Sequence, residues 1–313
     1  MAWGDDSEFG RWLVTDISPS KLAKWMTCPR QFWYRYVDPR RLPTFLGPWL
    51  PMGSALHEVV LEEYLAGGID DSEALRDLVV SDFIIRCQTQ DIYENGEPIS
   101  EASIMRHADD LSTWAYGLIE TLRTGRDPYG EPFELPPIKA TEVEVCYPIE
   151  LQSGTLRVRG MADMMFEDDT YADLKMASDW NKVIWKIGKA ITEVQPMAYS
   201  AGNEANRFTY TILDKCKDRS KSAISPRIRN IEFELTPKSY ERFTALLENF
   251  ARSVDLFGTE VYKNGVFPAT PAYKGETFKS DVDKPEVTFC GHLCDYKEHC
   301  FRECFDGERV CGA

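Results

Sequence analysis

An aspartate and a lysine flank a leucine in the alternating segment YADLKM, as Asp173, Leu174 and Lys175. Because side chains alternate along a strand, Asp173 and Lys175 are expected on one face and Leu174 on the other. Asp163 lies ten residues earlier in another alternating segment, so a short turn can bring both aspartates to one metal ion. Carboxylate oxygens suit Mg²⁺ or Mn²⁺, and a neighbouring lysine can orient or deprotonate the water that attacks a phosphodiester. The pattern indicates metal-dependent phosphodiester hydrolysis, although alternating charges are also typical of an exposed strand.

Three further polar residues lie in predicted helices. His57 shares a helical face with three apolar residues of the segment HEVVLEEY, so it is expected to face inward. An inward histidine is either a core residue or a ligand. Gln195 and Tyr199 are four residues apart and share another helical face, which simple packing also explains.

Four of the nine cysteines lie close together near the end of the sequence: Cys290, Cys294, Cys300 and Cys304. In a cytoplasmic protein this clustering favours a metal or iron–sulfur site over disulfides. His292 and His299 lie in the same segment, so zinc stays open as an alternative. Zinc bound within the tail would not explain a distant cysteine, Cys28, which directly precedes a proline.

The first third of the chain is predicted to be helical. Ser18 is a suitable N-cap with Pro19 at the first helical position, and Cys28-Pro29 breaks that helix. The segments QFWYRYV and PMGSALHEVVLEEYL, and most of residues 70–125, continue as helices.

The hydrophobic period then changes to that of strands. Three alternating segments, ATEVEVCYPIEL, TLRVRGMADMMF and YADLKM, predict an antiparallel meander. In the first of them Glu142 and Glu144 are expected on the side opposite the apolar residues. A helix over ITEVQPMAYSAGNEANR, strands over FTYTIL and IRNIEFEL, and a helix from Pro237 to about Leu256 follow. This order predicts an α/β fold with a mixed central β-sheet flanked by helices.

The overall composition is that of a globular protein, with 43% hydrophobic and 28% charged residues. The net charge of −15 disfavours nonspecific binding of polyanions, but it is compatible with a nuclease whose cleft needs carboxylates. No stretch reaches the roughly 18 apolar residues of a membrane span, and the first residues lack the apolar core of a signal peptide. We therefore expect a cytoplasmic protein that does not bind membranes.

Taken in order, these residues resemble the motif series of the PD-(D/E)XK nuclease superfamily, in its RecB-like branch. The series comprises Gly53-x-x-x-His57, Gly160-x-x-Asp163, Asp173-Leu174-Lys175 and Gln195-x-x-x-Tyr199. Cys28 before the histidine, with a cysteine triplet after the fold, is similar to the iron–sulfur members of that branch. These members include the Cas-type nucleases of CRISPR adaptation and AddB-type nuclease domains. The resemblance extends from about residue 17 to residue 304.

The resemblance implies a role for each motif residue. The divalent metal, Mg²⁺ or Mn²⁺, would be bound by His57, Asp163, Asp173 and the backbone carbonyl of Leu174. Lys175 would act on the attacking water, and Gln195 and Tyr199 would contact DNA or steady the active site. Glu144 matches a recurrent acidic position, whose role is less defined.

The resemblance also implies a 4Fe–4S cluster with four thiolate ligands: Cys28, Cys290, Cys294 and Cys300. Three residues separate Cys290 from Cys294, where the family commonly has two. Cys304 as a substitute ligand, or a zinc site with His292 or His299, therefore stays open.

We predict a metal-dependent DNA exonuclease that acts in recombination, repair or CRISPR-type spacer processing. A single domain over 1–313 would contain a helical part at 17–125, a catalytic sheet core at 140–256 and an iron–sulfur segment at 257–313. Since the chain has no P-loop motif, a separate helicase or recombination partner would supply any unwinding, and a homo-oligomer stays open. The alternatives are a catalytically silent DNA-binding or scaffold protein of the same fold, and a zinc-stabilised protein unrelated to nucleases.

Overall fold

The computed structural model describes residues 16–36, 44–66, 70–94, 96–177, 194–203, 205–214 and 227–257. The clustered cysteines and the two histidines between them lie outside these ranges, as does the whole predicted iron–sulfur segment 257–313 after its first residue. Within the described residues, no helix has the length and apolar character needed to span a bilayer.

The N-terminal elements are strand β1 (Asp16–Ile17) and helices α1 (Pro19–Thr27) and α2 (Pro29–Tyr36). Ser18 caps α1 as predicted, since its hydroxyl accepts a hydrogen bond from the amide of Lys21 at 3.2 Å. Cys28 has an extended backbone and separates the two helices. The proline that follows it favours this conformation, because an X-Pro residue is driven out of the helical region.

Three longer helices follow: α3 (Trp49–Ala66), α4 (Ser72–Thr89) and α5 (Glu101–Thr124). Between α4 and α5 lies a small hairpin that the sequence analysis missed, formed by β2 (Tyr93–Glu94) and β3 (Glu97–Pro98). Strands of two residues are too short to show an alternating pattern. The hairpin turn contains Gly96 at φ +87°, a conformation that glycine adopts at little cost.

Five strands form most of the central sheet: β4 (Ile138–Leu151), β5 (Gly154–Phe166), β6 (Tyr171–Ala177), β7 (Arg207–Asp214) and β8 (Arg227–Glu234). The order is β1-β5-β6-β7-β8, and β4 also pairs with β5. The β6–β7 and β1–β5 pairs are parallel, whereas β5–β6 and β7–β8 are antiparallel. The predicted mixed sheet flanked by helices is therefore confirmed.

Helix α6 (Val194–Ser200) is shorter than the predicted segment, which continued through Arg207. The amides of Gly202 and Asn203 donate back to the carbonyls of Tyr199 and Ser200, and Arg207 already belongs to β7. Glycine and asparagine favour such turns because they tolerate irregular backbone and form local hydrogen bonds. The last described helix, α7 (Pro237–Phe257), has the predicted bounds within one residue.

Glu142 has an unusual backbone conformation within β4. Its φ of +50° lies in the left-handed region, which a non-glycine residue adopts only at a cost. The burial along the strand nevertheless follows the predicted alternation. Val145 and Ile149 are buried and Val143 and Tyr147 are half-buried, whereas Glu142 and Glu144 are exposed.

The chain divides into two compact units. The first contains residues 1–44, 146–159 and 241–313, and in it the rings of Trp25 and Phe32 each pack 5.6 Å from that of Phe250. The second contains 45–145 and 160–240, and its core lies between β5, β6 and helices α3 to α5. The single-domain organisation stays a prediction. All residues of the candidate site that the structure describes, apart from Cys28, belong to the second unit.

Candidate active site

Strands β5 and β6 separate from one another at two facing aspartates. Their ladder pairs Met165 with Tyr171 and Met164 with Ala172, and the same register continued by one residue sets Asp163 opposite Asp173. Residues directly opposite one another on antiparallel strands have Cβ atoms about 4.5–5.5 Å apart. The amide of Leu174 donates to Oδ2 of Asp163 at 2.8 Å, so a carboxylate takes the place of a ladder acceptor. The two carboxyl groups thus lie at a fork between the strands.

The residues of the Asp-Leu-Lys motif alternate across β6. Leu174 is 1% exposed and belongs to the hydrophobic core, whereas Nζ of Lys175 lies 2.6 Å from Oδ2 of Asp173. Asp173 is buried, and the side chain of Lys175 is 46% exposed. The buried leucine anchors the strand, and the lysine remains accessible to a substrate at the fork.

His57 reaches the same fork from helix α3. Its Nδ1 lies 3.1 Å from Oδ2 of Asp163. The helix is held in place because Leu56, Val60 and Leu61 are buried in the core of the second unit. The inward orientation predicted for His57 is therefore observed, and its partner is a carboxylate rather than an apolar neighbour.

Burial and neighbouring charges shift the pKa values of three groups at the fork. Burial lowers the pKa of His57, but the hydrogen bond and the charge of Asp163 outweigh burial and raise this pKa above its usual value. Burial likewise acts to raise the pKa of Asp163, and His57 together with the Leu174 amide reverses this effect and lowers it. Burial raises the pKa of Asp173, with Lys175 opposing the shift. Hydrogen bonding between His57 and Asp163 therefore favours the charged form of each group, whereas burial disfavours the charged form of Asp173.

Gln195 on α6 holds the other oxygen of Asp173. Its Nε2 donates to Oδ1 of Asp173 at 2.5 Å, and its Oε1 lies 3.5 Å from the hydroxyl of Tyr210. Tyr210 is buried on β7, where the parallel register pairs it with Asp173. Sequence reasoning missed Tyr210, because only the pairing of β6 with β7 brings it to the site. The chain of contacts orients the glutamine amide and thereby the carboxyl group.

Tyr199 is buried one helical turn after Gln195. Its hydroxyl donates to the carbonyl of Met161 at 2.7 Å, and its ring lies 5.6 Å from that of Phe208. Burial raises the pKa of Tyr199 well above its usual value, so this hydroxyl stays protonated. Of the two roles predicted for Tyr199, this geometry favours steadying the site over contact with DNA.

Glu142, a residue that the sequence analysis did not select, lies in the electrostatic field of the fork. Partial burial raises the pKa of Glu142, and the nearby charges of Asp163 and Glu58 raise it further. Glu144 is an exposed residue of β4. The left-handed backbone at Glu142 is not revealed by any sequence pattern.

The fork contains donor types that divalent cations use, but among the described residues no group of three or more His, Cys, Asp or Glu side chains is arranged to hold a metal ion. Two carboxyl groups and one imidazole lie at the fork, and Nζ of Lys175 lies 2.6 Å from Oδ2 of Asp173. In an extended strand the N–H and C=O of one residue point to the same side, so the carbonyl of Leu174 faces the fork as its amide does. The carboxylate and carbonyl oxygens suit Mg²⁺ or Mn²⁺.

Cys28 is the single predicted cluster ligand that the structure describes. It is buried in the first unit, and its amide donates to the carbonyl of Lys24 at 3.0 Å. Cys87 is also buried, and burial raises the pKa of its thiol to about 11, which is typical of an unreactive core cysteine. Cys290, Cys294 and Cys300 lie outside the described residues.

Carboxyl groups from adjacent strands beside a lysine could support metal-assisted hydrolysis of phosphodiesters. The model of the PD-(D/E)XK nuclease superfamily matches residues 16–301 of the sequence. The chain belongs to the PD-(D/E)XK nuclease superfamily. Members of this superfamily act on DNA and typically use divalent metal ions such as Mg²⁺.

Two solved structures are similar to the chain at low sequence identity. The "Putative exonuclease" from Eubacterium rectale is 14% identical, with a TM-score of 0.45 over 82% of this chain and 86% of that one. The protein named SSO0001 is 14% identical, with a TM-score of 0.34 over 79% of this chain and 78% of that one. No curated protein matches the sequence.

Proposed function

We propose that the protein is a Mg²⁺- or Mn²⁺-dependent deoxyribonuclease that hydrolyses phosphodiester bonds at DNA ends. The observation that carries this proposal is the fork itself. Asp163 and Asp173 face one another, and Lys175 lies 2.6 Å from Asp173 on the accessible side. A degenerate member of the fold would be expected to lack one of these three side chains, and all three are present.

The residues of the fork would have different roles in hydrolysis. Asp163, Asp173, His57 and the Leu174 carbonyl would hold the metal ion. When bound, the ion would supply a Lewis acid that polarises the phosphate and makes water a better nucleophile. Gln195 would keep Asp173 oriented through its 2.5 Å hydrogen bond. Lys175 would orient the attacking water, and it would either take up the proton as a neutral amine or stabilise the developing negative charge as an ammonium ion.

The proposal can be tested on the full-length protein with end-labelled single- and double-stranded DNA and Mn²⁺. We expect Asp173→Asn and Lys175→Ala to reduce the cleavage rate on the order of 100-fold or more. Asp169→Asn and Lys139→Ala are matched controls, because these residues form an exposed ion pair at 2.7 Å outside the fork. Cleavage that survives both fork substitutions unchanged would refute the assignment.

A second comparison separates end-dependent from internal cleavage. An exonuclease degrades linear single strands and spares a covalently closed circle of the same sequence. Products from 5′- and 3′-labelled strands would also give the direction of degradation. Binding of DNA without any cleavage, by the wild-type protein and with either metal, would favour the silent DNA-binding alternative.

We further propose that Cys28, Cys290, Cys294 and Cys300 bind a 4Fe–4S cluster. The support is the sequence spacing together with the buried position of Cys28 at the end of α1. Ligation by one residue near the N terminus and three in the tail would close nearly the whole chain into a loop and would stabilise the fold by reducing the entropy of the unfolded state.

Anaerobic purification followed by metal analysis and visible absorbance tests the cluster. We expect about four iron atoms per chain, their loss in Cys28→Ser and their retention in Cys87→Ser. The second variant is the matched control, because Cys87 is an equally buried thiol of the helical core. A colourless protein that contains zinc instead of iron would favour the zinc-stabilised alternative.

A further inference from the structure

Several large apolar side chains are exposed at the start of helix α3. We call the aromatic patch the set of Phe45, Trp49, Leu50 and Tyr93. Trp49 is 53% exposed and Leu50 is 56% exposed, and Phe45 is 44% exposed. The rings of Phe45 and Tyr93 lie 4.7 Å apart, and Trp49 packs edge-on at 5.2 Å from His107. Three large apolar side chains around the start of α3, those of Phe45, Trp49 and Leu50, are therefore partly exposed to solvent.

The aromatic patch rests on a rigid support. The amide of Tyr93 donates to the carbonyl of Leu46 at 2.8 Å, which ties the segment before α3 to the β2–β3 hairpin. Nε2 of His107 lies 2.9 Å from a carboxylate oxygen of Glu94, which ties the hairpin to α5. Rings held in this way can stack on a ligand without a large loss of side-chain entropy.

Helix α3 connects the patch directly to the fork. Trp49 precedes His57 by eight residues, so about 12 Å of helix separates the two positions. Leu50 precedes His57 by seven residues, or nearly two full turns, so both lie on the same face of the helix. Gly53, midway between Trp49 and His57, lies against the side chain of Met176 on β6. The aromatic patch therefore lies beyond the C-terminal end of β6, at the N-terminal end of the helix that carries His57.

The charge of the protein limits how it can bind a DNA strand. With a net charge of −15, general attraction of the phosphate backbone is weak. Contacts with the bases must then contribute a larger share of the affinity. Stacking of a base on an aromatic side chain contributes about 1–3 kcal/mol and requires no positive charge.

We propose that the aromatic patch stacks unpaired bases of single-stranded DNA, and that Trp49 supplies the main platform. The roughly 12 Å of helix between Trp49 and His57 places the stacked base within a few nucleotides of the cleaved bond. The inference rests on the proposed nuclease function. It deepens that function by assigning a single-stranded substrate, because the base faces of an intact duplex are stacked on one another and cannot reach Trp49.

Binding can be measured separately from cleavage by fluorescence anisotropy of a labelled oligonucleotide, with the full-length protein in EDTA or Ca²⁺. We expect Trp49→Ala to weaken single-strand binding about 5- to 100-fold, which corresponds to about 1–3 kcal/mol. Trp49→Phe should retain most of the affinity, and binding of a blunt duplex should change less than about twofold. Tyr116→Ala is the matched control, since Tyr116 is an exposed aromatic residue, at 41%, elsewhere on α5.

A scan with single abasic sites along the oligonucleotide gives the decisive comparison. In the wild-type protein, one abasic position within a few nucleotides of the cleaved bond should weaken binding as much as Trp49→Ala does. In Trp49→Ala the same abasic position should have no further effect, because the stacking partner is already missing. Leu50→Ala serves as the second variant if Trp49→Ala is unstable, and it should weaken binding in the same direction.

Three results would overturn the stacking proposal: equal binding by Trp49→Ala and the wild-type protein, an equal loss with Tyr116→Ala, or additive effects of the abasic site and Trp49→Ala. The stacking proposal would also be overturned if Trp49→Ala weakened binding of another protein and left binding of the oligonucleotide unchanged. Failure of the nuclease proposal looks different. In that case the wild-type protein would cleave no DNA with either metal, whatever the anisotropy experiment shows.

Discussion

The ring of Tyr199 lies directly against the backbone of Gly160. A Cβ atom added at Gly160 would stand 2.8 Å from Cε1 of that ring and 2.9 Å from its hydroxyl oxygen. The tyrosine cannot easily move away, because it is buried and its hydroxyl is bonded to the carbonyl of Met161 at 2.7 Å. The absence of a side chain at Gly160 therefore leaves the space that the ring of Tyr199 occupies. Gln195, which donates a hydrogen bond to Asp173, lies one turn from Tyr199 on the same helix.

Gly160→Ala is expected to destabilise the protein by about 1–3 kcal/mol, as overpacking of a filled site does. The displaced Tyr199 would lose its hydrogen bond and would shift Gln195 relative to Asp173, so DNA cleavage should fall as well. Chemical denaturation and a cleavage assay of the same preparation measure the two effects.

Gly53→Ala is the matched control, because a Cβ atom there would lie at an ordinary 4.0 Å from Met176 in the interior of α3. It should leave stability unchanged or raise it by about 0.5–1 kcal/mol through the higher helix propensity of alanine. Equal effects of the two substitutions would contradict the packing argument.

The sequence predicted the parts of the site that depend on local spacing. Ser18 caps α1, and Asp173 and Lys175 share one face of β6 while Leu174 is buried, because capping and alternation follow from neighbouring residues. The mixed sheet also followed from the order of the elements. The left-handed backbone of Glu142 was not predictable in this way, since the residue type argues against that conformation.

Contacts that depend on pairing between distant strands were also beyond the sequence. Tyr210 reaches Gln195 because β6 and β7 pair in parallel with Asp173 opposite Tyr210. A shift of the β6–β7 register by one residue would move the side chain of Tyr210 to the other face of the sheet. The alternation of apolar and polar residues along each strand does not determine which residues of β6 and β7 are paired.

Tyr210→Phe is expected to weaken Mn²⁺ binding and to slow cleavage by about 3- to 10-fold. Loss of the hydroxyl leaves Oε1 of Gln195 without this donor, so the amide is less firmly oriented toward Asp173, at a cost of about 1 kcal/mol. A titration of Mn²⁺ against the cleavage rate separates weaker metal binding from general damage. Tyr171→Phe, on the neighbouring strand, should change neither quantity. An unchanged Mn²⁺ dependence of Tyr210→Phe would show that Gln195 does not need this contact.

Glu142→Gly is expected to raise the free energy of unfolding by about 1 kcal/mol, because glycine adopts φ of +50° without strain. The same substitution at Glu144, in regular strand geometry, should lower it by about 0.5–1 kcal/mol. If the glutamate is retained for function, Glu142→Gly should also reduce cleavage, since its carboxyl group interacts with that of Asp163. Higher stability with full activity would show that the strained residue has no part in the reaction.

Glu94→Gln is expected to change the pH dependence of the free energy of unfolding. Hydrogen bonds from Ser103 and His107 lower the pKa of Glu94 to about 2, against about 4.3 in an unfolded chain. The unfolded state therefore takes up the proton first. The stabilisation is complete above about pH 4.3 and is lost as the pH falls toward 2.

Because a quarter of the Glu94 side chain is exposed to screening solvent, we expect this contribution to be about 2 kcal/mol at neutral pH. Urea denaturation from pH 7 to pH 2 should show Glu94→Gln less stable than the wild-type protein at pH 7, with the difference disappearing near pH 2. Glu97→Gln, an exposed residue of the paired strand, is the control and should follow the wild-type curve. A constant difference across the whole range would mean that Glu94 stabilises the hairpin by its shape rather than by its charge, and the support beneath Trp49 would then not depend on the charge of the carboxylate that contacts His107.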